Sequence, residues 1–166
     1  MQTKVSSEIR YRKYANDEFY TPSELAVSLV GMVPVVDGDV VMDNAATNPV
    51  FYDALGTTVT RKRTGDFFSV PPGSVDWGVT NPPYSKLNDW FAHSTKTCRK
   101  GFAYLLGFNN ITPRRIELCE KEGFGLSTVH LCKVFKWFGM SAFCVFEKGK
   151  PSVIRYDRTV WHSAGE

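Results

Sequence analysis

The segment Asn81-Pro82-Pro83-Tyr84 joins a carboxamide, two adjacent prolines and an aromatic ring. Proline fixes its own φ and restricts the residue before it, so this loop is stiff and the Pro82 carbonyl points in a set direction. If the Asn81 side-chain oxygen and that carbonyl converge, they form two acceptors for one amine. Such a pair suits a nitrogen whose lone pair is delocalised, as in the exocyclic amine of adenine or cytosine. Accepting its hydrogens favours the pyramidal form that develops as the nitrogen attacks a methyl donor, and no strong base is needed. Tyr84 offers a face on which a base swung out of its stack can lie. The competing reading is a rigid strand-ending turn with a packed tyrosine.

The flanking sequence supplies elements that would position this loop. Val75 to Thr80 reads as a strand running into Asn81, and Leu87, Trp90 and Phe91 have helical spacing, which predicts a helix over about Lys86 to Arg99. Upstream, Thr21 as N-cap, Pro22 at the first helical position and Glu24 at the third predict a helix start, with Leu25, Ala26, Leu29 and Val30 as its apolar stripe. Val40-Val41-Met42 is a short buried strand ending at Asp43. A short helix follows, with Asn48 as cap, Pro49 first and Gly56 as terminator, then a strand at Thr57 to Thr60. Phe102 to Phe108 is an apolar strand, Thr112-Pro113 starts a helix to about Lys121, and Leu126 to Phe135 with Ala142 to Glu147 form an antiparallel pair. This alternation predicts an α/β doubly wound sheet, mostly parallel, with helices on both faces and an antiparallel C-terminal edge.

At 166 residues one domain suffices. Residues 1–16 read as a polar arm and 17–166 as the domain. The net charge of +3 is too weak alone to demand a nucleic-acid partner, but Arg10, Arg12 and Lys13 interleave with tyrosines in a pattern that suits phosphate and base contacts. Arg61-Lys62-Arg63 is a second basic run, and a solvated basic face is the bland alternative for both. Cys98, Cys119, Cys132 and Cys144 form no Cys-x-x-Cys pair and read as reduced, buried thiols. His93, His130 and His162 have no metal-ligand spacing, so no metal is expected. No apolar run is long enough for a signal peptide or membrane span, which predicts a cytoplasmic protein.

From about Asp17 to Glu147, these motifs in this order resemble the S-adenosylmethionine-dependent DNA adenine amino-methyltransferases of the NPPY type, particularly their small phage-like members. The resemblance implies a Rossmann-like methyltransferase fold, S-adenosylmethionine as cofactor, and methylation of adenine in DNA within a prokaryotic or virus-infected cell, in a DNA-methylation or restriction-modification setting. It implies that Asn81, Pro82, Pro83 and Tyr84 are catalytic. Phe19, Tyr20, Thr21 and Pro22 would contact the methionine part of the cofactor, Asp43 and Ala45 would belong to the cofactor loop, and Asp66 with Phe67 would meet its adenine, with Asn81 alongside. Arg10, Arg12, Lys13, Tyr84 and Trp137 would contact nucleic acid. The chain is short for a separate target-recognition domain, so a homodimer or partner subunit would supply recognition.

Two departures stand out. Thr47 and Pro49 fall where the family places glycines that bring backbone N–H groups to the cofactor, and proline has none to donate. Thr60 to Arg63 offers no acid for the cofactor ribose. A catalytically inactive methyltransferase-like subunit is therefore one alternative. Protein glutamine methylation and RNA methylation are others, because the nitrogen chemistry is shared.

Overall fold

The computed structural model describes residues 21–45, 48–133 and 139–157. Its elements are α1 (Ser23–Val30), β1 (Val40–Asp43), α2 (Val50–Ala54), β2 (Thr60–Arg63), β3 (Val75–Thr80), α3 (Leu87–Thr97), β4 (Cys98–Gly107), α4 (Pro113–Lys121), β5 (Phe124–Cys132) and β6 (Ser141–Lys148). They build a six-stranded sheet in the order β2-β1-β3-β4-β6-β5. The strands β2, β1, β3 and β4 are mutually parallel, and β6 inserts antiparallel between β4 and β5. Thus β6 is the antiparallel strand, while β5 forms the outer edge.

Side-chain alternation along the strands separates two cores. Phe102, Tyr104 and Leu106 of β4 face α3 and α4, where they meet Leu87, Trp90, Phe91, Ile116 and Cys119. Ala103 and Leu105 face the opposite layer with Ala26, Leu29 and Phe51 of α1 and α2. Every residue of β4 from Gly101 to Gly107 is buried, as a central strand covered on both faces requires.

Local capping differs from the expected pattern at several places. Pro22, not Thr21, is the N-cap of α1, and no side chain caps it; Thr21 is instead buried. Pro49 caps α2 without a side-chain bond, and Leu55 rather than Gly56 ends it. β2 lies at the basic triplet, three residues later than expected, because Val40 to Asp43 pair with Thr60 to Arg63. An edge strand tolerates this charge, since its side chains reach solvent. Arg61 and Arg63 also lay their guanidinium groups over the Tyr52 ring, at 4.9 and 5.4 Å. The helix α3 stops at Thr97, where β4 begins without a loop. Three cysteines are buried free thiols as expected, with burial pushing Cys98 and Cys144 up to about 12, whereas Cys132 is only partly buried.

Gly101 marks the tightest crossing of β4. A Cβ there would collide with the Phe146 carbonyl oxygen and the Trp77 ring. Gly101→Ala is expected to lower stability by about 2 kcal/mol through overpacking, read from the urea unfolding midpoint at unchanged slope.

Candidate functional site

The parallel strands bring their carboxyl ends to one edge of the sheet, and strand order reverses between β1 and β3. Open α/β sheets hold ligands in the crevice at such a point. Asp43 ends β1 on the inner side of this crevice and is 1% exposed. Its Oδ1 accepts from Thr80 Oγ1 at 2.8 Å and from the Ala45 N–H at 3.2 Å, and its Oδ2 accepts from the Tyr52 N–H at 3.2 Å. The carboxylate therefore fastens the ends of β1 and β3, holds the backbone at Ala45 and caps α2 from outside the helix. It supplies the acceptor that Asn48 was expected to give.

The next residue, Asn44, is also buried, and its Nδ2 donates to the Tyr104 hydroxyl at 2.9 Å. It passes over Gly78, where a Cβ would stand 2.5 Å from Nδ2. Burial holds the Tyr104 phenol well above its usual range, so it keeps its proton and donates to Ser94 Oγ. Ser94 in turn donates to the Trp90 carbonyl at 2.6 Å. This sequence of donors fixes which way the Asn44 amide faces: Nδ2 points to Tyr104, and Oδ1 is left buried with no hydrogen-bond partner among the described residues. Leaving such an acceptor unmet costs about 1–3 kcal/mol.

The Asn81 to Tyr84 loop leaves β3 directly. Asn81 is partly buried, Pro82 is buried, and Pro83 is extended at φ −66° and ψ 131°. Tyr84 is partly buried against the core on the α3 side. Its hydroxyl accepts from the Gly107 N–H at 3.0 Å, which extends the β3–β4 contact beyond Thr80 opposite Tyr104. The packed-tyrosine reading is thus correct for the hydroxyl end of the ring.

After β2, Thr64 donates its N–H to the Asp43 carbonyl at 3.2 Å, which keeps the segment to Asp66 close to the crevice. Asp66 is exposed, and its carboxylate has no hydrogen bond or ion pair among the described residues. Phe67 is 2% exposed and packs on Trp90 and His93, so its ring belongs to the core. Phe68 is 40% exposed, with the Lys86 ammonium 5.9 Å from its centroid. The Ala45 N–H is committed to Asp43. Phe19, Tyr20, Arg10, Arg12, Lys13 and Trp137 lie outside the described residues, as does Thr47.

Comparison with solved structures places this architecture. The chain is similar to the E. cuniculi Mtq2–Trm112 structure, responsible for methylation of the eRF1 translation termination factor, at 16% identity and a TM-score of 0.62 over 80% of this chain and 99% of that one. It is similar to a methyltransferase from Pyrococcus furiosus at 14% identity and TM-score 0.52, over 89% and 100%. Magnesium protoporphyrin IX methyltransferase from Synechocystis PCC 6803, with bound SAM, gives 10% identity and 0.52 over 89% and 85%. The fold is the methyltransferase fold. No family model matches the chain, and no curated protein matches it.

Within this methyltransferase fold, the sequence reading missed Asn44, Thr80 and Tyr104. One signal was present: a glycine inside a strand pattern often marks a close approach, and Gly78 marks that of Asn44.

Burial raises the Asp43 pKa above 3.8, and hydrogen bonds from Thr80, Ala45 and Tyr52 offset this only in part. A raised folded-state value means that the folded protein holds this proton to higher pH than the unfolded chain. Its contribution to stability is present at low pH and is lost as pH rises from about 4 through the raised value. Asp43→Asn is expected to remove that slope, seen by comparing urea midpoints of the two proteins at successive pH values.

Proposed function

We propose that the protein is an S-adenosylmethionine-dependent methyltransferase acting on the exocyclic amine of adenine in DNA. The observation that carries this is the position of Asn81-Pro82 at the end of β3, beside the point where strand order reverses. An amine donor there would meet the Asn81 carboxamide oxygen and the Pro82 carbonyl. The residues around the crevice fit the cofactor: the unpartnered Asp66 carboxylate can accept from an adenine amino group, and Phe68 nearby offers an exposed apolar face. When bound, S-adenosylmethionine supplies an electrophilic methyl group on a sulfonium.

The chain's own part is positional. Asp43 holds the cofactor loop in shape by taking the Ala45 and Tyr52 N–H groups. Thr80 fixes the residue before Asn81. Tyr84, held through its hydroxyl, keeps its ring at a set place for the target base. Asn81 and Pro82 accept from the target nitrogen and turn its lone pair outward; the proton released on methylation leaves to solvent.

A second reading, methylation of a protein amide nitrogen, draws support from the likeness to the Mtq2–Trm112 structure. The same comparison supports a partner subunit that supplies recognition. RNA remains a substrate of identical amine chemistry.

Calorimetric titration with S-adenosylmethionine is expected to show micromolar binding that Asp66→Ala abolishes. Transfer of labelled methyl to DNA is then expected to fall about 100- to 1,000-fold in Asn81→Ala, the usual loss for one preorganised transition-state contact. Absence of cofactor binding in the folded protein would favour the inactive-subunit alternative.

A further inference from the structure

Beyond Tyr84, the carboxyl edge carries another exposed aromatic ring. Phe108 opens the 3-10 turn Phe108–Asn110 and is 43% exposed. Its backbone is fixed from both sides: Gly107 donates to the Tyr84 hydroxyl, and Phe108 itself donates to the Met140 carbonyl at 2.9 Å. Arg115 braces the same turn, donating to the Asn110 carbonyl at 2.7 Å and to Asn88 Oδ1 on α3 at 2.9 Å. Such support holds a surface ring where a ligand can use it.

The ring has apolar neighbours. Pairing of Gly107 and Cys132 with Ser141 brings Phe108, Met140 and Leu131 to the same end of β4, β6 and β5, and Met140 and Leu131 are 53% and 51% exposed. This strip continues directly from the Tyr84 anchor. Cations lie near it in the chain, since residues 107–116 and 131–133 include Arg114, Arg115 and Lys133. An apolar strip rimmed by cations matches stacked bases on an anionic backbone.

We propose that Phe108 is a stacking platform for the base flanking the target on a single strand of DNA, with Arg114 and Lys133 meeting its phosphates. This rests on the reading of Asn81 to Tyr84 as the amine site of a DNA methyltransferase. Phe68 plays no such part, since its ring lies against Trp90 and His93 with the Lys86 ammonium over it.

The test is fluorescence anisotropy with a short labelled single-stranded oligodeoxynucleotide containing one adenine. Phe108→Ala and Phe108→Leu are expected to weaken binding about tenfold, while Phe108→Trp retains it. All three should melt like the parent, since the ring is exposed. An abasic nucleotide beside the adenine is expected to erase the difference between the parent and Phe108→Ala. Lys133→Ala should reduce the salt dependence by about one unit of slope. Unchanged affinity in Phe108→Ala, or full affinity in Phe108→Leu, overturns the platform. So does Phe108-dependent binding of a glutamine-bearing peptide without binding of the oligonucleotide. The two proposals fail separately: Phe108-dependent oligonucleotide binding without methyl transfer sinks only the enzymatic reading, and transfer to DNA that ignores Phe108 sinks only the platform.

Discussion

The buried Asp43 carboxylate is the interaction on which the functional edge depends. Removing a carboxylate from water is costly unless donors surround it, and here a hydroxyl and two backbone N–H groups do so. Each donor comes from a different piece: the end of β3, the loop after β1, and the first turn of α2. One side chain thereby sets the relative positions of the strand that precedes the Asn81 to Tyr84 loop, the backbone at Ala45 and the start of α2. The negative charge at the start of α2 also suits the positive end of that short helix.

The same arrangement shows where the N–H groups on either side of the loop after β1 are directed. In a glycine-rich loop the backbone N–H groups turn toward the ligand. Here the Ala45 and Tyr52 N–H groups turn inward to Asp43, and Pro49 has none to offer. On the proposed function, recognition of the cofactor would rest more on side chains at neighbouring strand ends, chiefly Asp66 and the Asn81 to Tyr84 loop. The arginines of β2 lie over Tyr52.

Much of this was legible in the sequence, for physical reasons that differ by element. β1 carries the continuous apolar run Val40-Val41-Met42 and β3 the alternating Val75, Trp77 and Val79, patterns that have few alternatives to burial. The Asn-Pro-Pro-Tyr loop is stiff by covalent structure alone. β2 was misplaced because Thr57 to Thr60 has the higher strand propensity, whereas its position is set by pairing with β1, a non-local effect. The capping residues were misread for a similar reason. A helix N-terminus needs an acceptor, but the acceptor for α2 comes from Asp43 in another element rather than from the adjacent Asn48. Phe67 and Phe68 show the limit of motif reading: both rings meet Trp90 and His93, and only their burial, 2% exposed against 40%, shows which ring is left at the surface.

Tyr84 connects the two halves of the edge. A phenylalanine would offer a similar face, so the hydroxyl needs its own explanation. Parallel β3 ends at Thr80, opposite Tyr104, and the Gly107 N–H further along β4 lies beyond the last strand partner on that side. Buried N–H groups need acceptors, and the phenol oxygen provides this one at 3.0 Å. The bond works in both directions. It gives the Gly107 N–H an acceptor, and it restricts the rotamer freedom of the ring in the folded chain without requiring a ligand. Because Gly107 immediately precedes Phe108, the same bond fixes the spacing between Tyr84 and the exposed ring beyond it. The stiffness of the proline loop is thereby passed to β4, and the geometry of the whole carboxyl edge follows from contacts already formed in the folded chain.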